Sequence, residues 1–241
     1  MKIRDFEIGA GRTFIIAETC SNIIGHLDRL ETIVRDVAWT GATALKIQLF
    51  RGDHFGEKEA ESKRRLEFPR DRFLELVELC HKYGLACGAS VFDREAVDLV
   101  LDSSADFIKL ASREWLNRPL ILRALATEMP VLRSFDATND DTKFEDWYPY
   151  YKNLLHLSCT PDYPSEKPKI SGFTANNGTL SNGFSSHTSH WIDCLIAVSR
   201  HDPIIEKHIS FHANDPERGW SLDPQSFKAM VKDISWVESC R

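Results

Sequence analysis

Eight short, β-rich apolar runs recur along this chain, each set apart from the next, and that alternation is what most limits its fold. The runs are "TFIIAE" (13–18), "ALKIQLF" (44–50), "LACGASVF" (85–92), "DFIKLAS" (106–112), "PVLRS" (130–134), "NLLHLS" (153–158), "GFSSH" (183–187) and "PIIEKH" (203–208). Helical patterns fill most of the gaps. Leu27, Leu30, Ile33, Val34, Val37 and Ala38 share one helical face. "PRDRFLELVELCHKYG" opens on Pro69 and closes on Gly84, the usual start and stop of a helix. "REAVDLVL", "NRPLILRALATE", "HTSHWIDCLIAVSR" and "DPQSFKAMVKDISWV" read as further helices, with Asn117 and Asp223 as N-caps.

Crossovers of this length return to the same sheet edge, so the strands pair in parallel. Eight such units predict one α/β domain over 1–241, a closed (β/α)8 barrel of the TIM type. A doubly wound open sheet is the alternative. The segment 165–182, rich in Gly, Asn and Ser, leaves the sixth helix short or missing. The long charged stretch 51–68 reads first as a solvated loop and second as a lid over the barrel mouth.

Composition narrows the function. A net charge of -6 argues against a nucleic-acid partner, which would favour a basic chain. No run of about 18 apolar residues offers a membrane span. The six cysteines form no CxxC pair, and the start has no apolar leader, so reduced thiols and a cytoplasmic location are expected.

In such a barrel, chemistry gathers at the C-terminal ends of the strands. Polar residues gather there too: Glu18; Lys46 and Gln48; Ser90; Lys109, Ser112 and, just beyond, Glu114; Ser134; Ser185 and His187; Glu206 and His208. A charge facing a barrel interior costs several kcal/mol unless a partner or ligand compensates it. One such lysine would read as a structural ion pair. Two lysines among serines suit a small molecule bearing a phosphate and a carboxylate. His187 and His208 fall on neighbouring strands about 4.8 Å apart, where two imidazoles can share a divalent metal. His190 and His212 are expected not to ligate it, and His26, His54 and His81 are expected at the surface. With a period of two, Glu206 and His208 face one way and Lys207 the other, toward the helices.

"FIIAETCSN", "ALKIQLF", "ASVFDREAVDLV", "DFIKLASREWLNRPLI", "LLHLSCTPDYP", "SSHT" and "IIEKHISF", in that order, resemble the catalytic barrel of the N-acetylneuraminate (sialic acid) synthase family. The similarity runs from about residue 13 to the C-terminus. It implies condensation of phosphoenolpyruvate with a sugar or amino-sugar aldehyde, release of phosphate, and a 2-keto-3-deoxy sugar acid as product. The implied cofactor is a divalent metal, Mn2+ first, with Mg2+ or Co2+ as substitutes. By matched position, Lys46, Ser90, Lys109, Ser112, Ser134 and Ser185 contact phosphoenolpyruvate, with Lys109, Ser134 and Ser185 on its phosphate and Ser90 and Ser112 on its carboxylate. His187 and His208 hold the metal. Glu18, Glu114 and Glu217 are the catalytic carboxylates, and Asn22, Gln48, Phe92 and Tyr163 line the sugar side. A homodimer is the assembly the resemblance implies.

Several family positions differ. "SFDA" (134–137) replaces Ser-Thr-Gly-Met after the fifth strand, Asn22-Ile23 replaces Asn-His, and Ser185-Ser186 replaces Ser-Asp before the metal-binding His. Pro161 stands for Asn, and Glu217 for Asp. Many members continue into a small antifreeze-like domain, whereas this sequence ends at Arg241, so a barrel alone is expected. The losses fall on the sugar side, which points to an acceptor other than N-acetylmannosamine. Two rivals stay open: a metal-dependent lyase or isomerase acting on a sugar phosphate, which has no need of Ser90 and Ser112, and a binding barrel without catalysis, which gains nothing from the paired lysines and histidines.

Overall fold

The computed structural model describes residues 1–138, 151–170 and 182–241. Eight parallel strands close into a barrel in sequence order, the last pairing with the first. They are β3 (Phe14–Glu18), β4 (Ala44–Leu49), β5 (Ala86–Val91), β6 (Phe107–Leu110), β7 (Val131–Asp136), β8 (Leu154–Cys159), β9 (Gly183–Ser186) and β10 (Ile204–His208). This is the (β/α)8 barrel expected from the strand alternation, and the open sheet is set aside. The outer layer holds α1 (Leu30–Thr40), α3 (Phe73–Lys82), α4 (Arg94–Asp102), α5 (Arg118–Leu125), α6 (Ile192–Ser199) and α7 (Pro224–Ser239). Asn117 caps α5 by accepting from the Leu120 amide, and Asp223 caps α7 through the Ser226 amide. Among the described residues no helix lies between β8 and β9; 171–181 fall outside them.

Two features escaped the strand-and-helix pattern. A two-stranded antiparallel hairpin, β1 (Lys2–Ile3) with β2 (Phe6–Glu7), precedes the barrel. Its Ile3 is fully buried with Phe14, Ile16, Ala44, Phe107, Leu132, Leu155 and Ile204, and Phe6 packs edge-on to Phe14. These residues form an apolar floor inside the barrel, and the hairpin covers it. The stretch 51–68 is also not a plain loop: it contains α2 (Glu57–Arg64), and its Phe55 and Lys63 reach the barrel mouth.

Strand periodicity explains why the interior changes character with height. The residues facing inward run apolar at the bottom of each strand and polar at the top: Phe14 and Ile16 then Glu18, Ala44 then Lys46, Phe107 then Lys109, Ile204 then Glu206. The outward face is continuous apolar core against the helices. Gly88 marks where space runs out between the two zones, for a Cβ there would sit 2.4 Å from the Phe107 ring.

Gly88→Ala is therefore expected to destabilise the fold by about 1–3 kcal/mol in urea unfolding. Gly88→Ala combined with Phe107→Leu should recover part of that loss. Equal stability of wild type and Gly88→Ala would refute this packing.

Candidate active site

Register decides which inward side chains meet at the polar level. Glu18 lies opposite His208 on one side and opposite Lys46 on the other. Ser90 lies opposite Gln48 and opposite Lys109, and Glu206 opposite Ser185. Lys46 makes a tight ion pair with Glu18 and donates to Ser90 Oγ at 2.8 Å. Lys109 donates to Ser134 Oγ at 2.8 Å. Between the two ammonium groups lies Glu206, 3.7 Å from Lys46 Nζ and 3.5 Å from Lys109 Nζ, accepting from Ser185 Oγ at 2.9 Å.

Burial pushes the Glu206 carboxyl up, but the two lysines and the Ser185 hydroxyl outweigh it, and the group is held below the usual carboxylate range. Burial pushes the Lys46 ammonium down to about 7; Lys109 acts in the same direction, and Glu206 pulls against it. Glu206 Oε2 accepts no hydrogen bond among the described residues. A buried ionised oxygen in that condition is unusual and suits a site that exchanges partners.

Above this level opens a cleft of about 370 Å³. Of the residues singled out in the sequence, Lys46, Gln48, Ser90, Phe92, Lys109, Ser112, Ser134, Tyr163, Ser185, His187, His208 and Glu217 all line it. Glu18, Asn22 and Glu114 do not. Glu18 lies beneath, engaged with Lys46 and with the Cys20 amide at 2.7 Å. Asn22 is wholly buried and ties loops together: it donates to the Ile209 carbonyl at 2.8 Å and accepts from the Glu217 amide at 2.8 Å. Glu114 accepts from the Asn117 side chain at 2.8 Å, at the start of α5.

The two imidazoles lie side by side, with ring centroids 5.5 Å apart. His187 Nδ1 is 2.8 Å from the Thr160 carbonyl, and His208 Nδ1 is 2.8 Å from Glu217 Oε2. Both partners only accept, so each Nδ1 carries the proton and each Nε2 keeps its lone pair. Burial, with His208 adding to it, pushes the His187 imidazole down to about 3, which keeps it neutral. Two imidazoles, each oriented by an oxygen behind it, fit the donor set of an open metal site. Among the described residues no three His, Cys, Asp or Glu form a complete cage, so water or substrate would supply the remaining ligands.

Glu206, marked in the sequence as a strand-end carboxylate but given no role there, is the centre of the ion network. Two residues that the sequence did not mark also belong here. Trp220 closes the cleft beside Tyr163 and His208, and its buried indole N–H has no partner among the described residues. Cys20 lines the cleft with φ 40. Nothing in the periodicity around Trp220 or Cys20 signals a site, because both lie in 3-10 segments that follow the strands, Cys20–Arg29 and Arg218–Trp220, outside the strand alternation. His26, expected at the surface, is buried and bonded to Asp215 at 3.0 Å. Phe135 and Asp136 of "SFDA" are part of β7, not of a loop.

The family model for the NeuB family matches residues 33–241. The chain belongs to the NeuB family. It is 28% identical over 252 residues to an uncharacterised protein of Methanocaldococcus jannaschii, covering 99% of this chain and 75% of that one. It is 25% identical over 257 residues to the N,N'-diacetyllegionaminic acid synthase of Legionella pneumophila, covering 94% and 72%. The fold matches the crystal structure of N-acetylneuraminic acid synthetase from Leptospira borgpetersenii in complex with citrate, with TM-score 0.88 and 22% identity, covering 100% of this chain and 89% of that one. No helix among the described residues of this NeuB-family chain is long and apolar enough to cross a membrane.

The His187 proton is taken up near 6.5 in the unfolded chain and only near 3 in the folded one. Stability from the neutral imidazole is therefore complete above about pH 6.5 and lost as pH falls toward 3. In urea titrations of metal-free protein, His187→Asn should lose less stability than wild type across that window, by up to about 1.4 kcal/mol per pH unit. Parallel acid limbs would contradict the assignment.

Proposed function

We propose that this chain condenses phosphoenolpyruvate with a sugar or amino-sugar aldehyde, giving a 2-keto-3-deoxy sugar acid and releasing phosphate. The observation that carries the proposal is the pair of buried lysines, each bonded to a serine and both facing one carboxylate. Such an arrangement offers two neighbouring anion subsites in a water-poor pocket. Membership of the NeuB family and similarity to a legionaminic acid synthase support the same reading.

Lys109 with Ser134 and Ser185 forms one subsite, suited to the phosphate. Lys46 with Ser90 forms the other, suited to the carboxylate, with Ser112 at its edge. Together they hold the enol carbon toward the aldehyde and neutralise the substrate's charge while bonds rearrange. The new C–C bond joins the methylene carbon to the aldehyde carbon, and the aldehyde oxygen takes a proton. Positive charge then develops at the former enol carbon. Glu206, whose Oε2 accepts no hydrogen bond among the described residues, is the carboxylate placed to stabilise that charge and to orient the water that adds there. The C–O bond to phosphate then breaks, leaving the keto group.

His187 and His208 would hold a divalent metal, Mn2+ by resemblance, through Nε2. When bound, that ion supplies Lewis-acid polarisation of the aldehyde oxygen. Glu217 holds the His208 tautomer and acts as a positioning residue in this scheme. Glu18 pairs with Lys46, and Glu206 pulls the Lys46 ammonium back toward its charged form against burial. Gln48, Phe92 and Tyr163 remain for the sugar, and Trp220 joins them as a donor. Glu114 and Asn22, which do not line the cleft, are assigned supporting roles.

Phosphate release from phosphoenolpyruvate with Mn2+ and a panel of aldoses tests the proposal. Lys109→Met is expected to lower kcat/KM for phosphoenolpyruvate at least about tenfold, and Ser134→Ala less. His187→Ala with His208→Ala should remove the response to metal. No phosphate release with any aldose, together with no calorimetric binding of phosphoenolpyruvate, would sink it.

A further inference from the structure

Behind the two imidazoles, on the outer face of the barrel, lies a second buried cluster of charge that takes no part in the proposed reaction. Lys207, Ser186, Thr188 and Asp193 are each no more than 2% exposed. Lys207 sits opposite Ser186 in the register of β10 and β9, and each immediately precedes one of the two histidines. The Lys207 ammonium donates to Ser186 Oγ at 3.1 Å and to the Thr188 carbonyl. From the strand that carries His208, it therefore grips the chain on both sides of His187.

An ammonium buried this deeply needs a counter-charge. The charge reaches it through a hydroxyl. Ser186 Oγ, which accepts from Lys207, donates to Asp193 Oδ2 at 2.7 Å, and Thr188 Oγ1 lies 3.2 Å from the same oxygen. Burial pushes the Lys207 ammonium down, and Cys194 and Asp193 pull against it.

Asp193 stands in the first turn of α6, where an acidic side chain ordinarily stays in water and complements the helix dipole. That role does not require burial, which is costly for a carboxylate. The position of Asp193 answers one of the departures in the sequence. Residue 186 is where the resemblance implies an Asp directly before the metal-binding His, and a Ser stands there instead. Asp193 brings a carboxylate back to that point from the helix.

We infer that Asp193 is a positioning residue for the metal-binding pair: acting through Ser186 and Lys207, it holds the ends of β9 and β10 in the register that sets His187 beside His208. The inference rests on the proposed metal role of the two histidines, and its test includes a readout that needs no metal.

The test is calorimetric titration of Mn2+ into the full chain, with hydrogen exchange of residues 183–188 followed in metal-free protein. D193N is expected to weaken Mn2+ binding at least about tenfold and to speed that exchange. Moving the carboxylate onto the strand, in S186D/D193N, should restore both. K207M/D193N removes the two charges together and guards against a failure of D193N to fold. It should stay folded, lack the grip on Thr188 and bind Mn2+ as weakly as D193N. Unchanged Mn2+ affinity in D193N or K207M/D193N would overturn the inference, as would an S186D/D193N variant that binds no better than D193N. If the wild type takes up no Mn2+, the metal role of the histidines falls. Faster exchange in D193N, reversed in S186D/D193N, would then still show Asp193 holding the strand ends, and unchanged exchange would overturn the inference as well.

Discussion

Glu206 lies between two buried ammonium groups, and the site is built around keeping that arrangement intact. Removing one partner of a buried pair leaves an uncompensated charge, at a cost of about 3–5 kcal/mol. The barrel meets this in layers. An apolar floor sealed by the β1–β2 hairpin excludes water from below. Serines on three strands supply the short hydroxyls that bond the charges directly, Ser90, Ser134 and Ser185, and Ser112, in the turn after β6, lies at the edge of the cleft. The result is a charged level that is largely satisfied but leaves one buried carboxylate oxygen, Glu206 Oε2, with Lys46 at 3.7 Å and no hydrogen bond among the described residues.

The strand that carries Glu206 also organises both of its faces. Lys207 points outward, donating to Ser186 Oγ at 3.1 Å and to the Thr188 carbonyl, while Ser186 donates to Asp193 of α6 at 2.7 Å. That outer network fixes the end of β10 against β9, which is what sets His208 beside His187. Loop contacts complete the positioning. Asn22 fixes the Glu217 backbone, Glu217 fixes the His208 tautomer, and the His26–Asp215 bond ties the loop after β3 to the loop after β10.

Much of this was legible in the sequence because strand periodicity is strict. Alternation places Lys46, Lys109, Glu206 and His208 inside and Lys207 outside without any tertiary knowledge. Contacts between loops were not legible, since no period governs them. Asn22 sits in a stretch that reads as part of a pocket, yet its amide is used up by backbone groups of a loop nearly two hundred residues away. Glu114 follows β6 closely enough to read as a rim carboxylate, but a short helical turn carries it to the α5 cap. The terminal hairpin was missed because two-residue strands carry too little pattern to register. The α2 helix was hidden by charge, its only buried residue being Ala60.

The central claim is that Lys46 and Lys109 are the two anchors of an enolpyruvyl dianion, with Glu206 between them. The most direct measurement is a crystal structure of the protein with phosphoenolpyruvate and Mn2+. The account predicts phosphate oxygens against Lys109 and Ser134, carboxylate oxygens against Lys46 and Ser90, and anomalous density for Mn2+ at the Nε2 atoms of His187 and His208. Phosphoenolpyruvate bound away from both lysines, with their ion pairs to Glu206 unchanged, would contradict it.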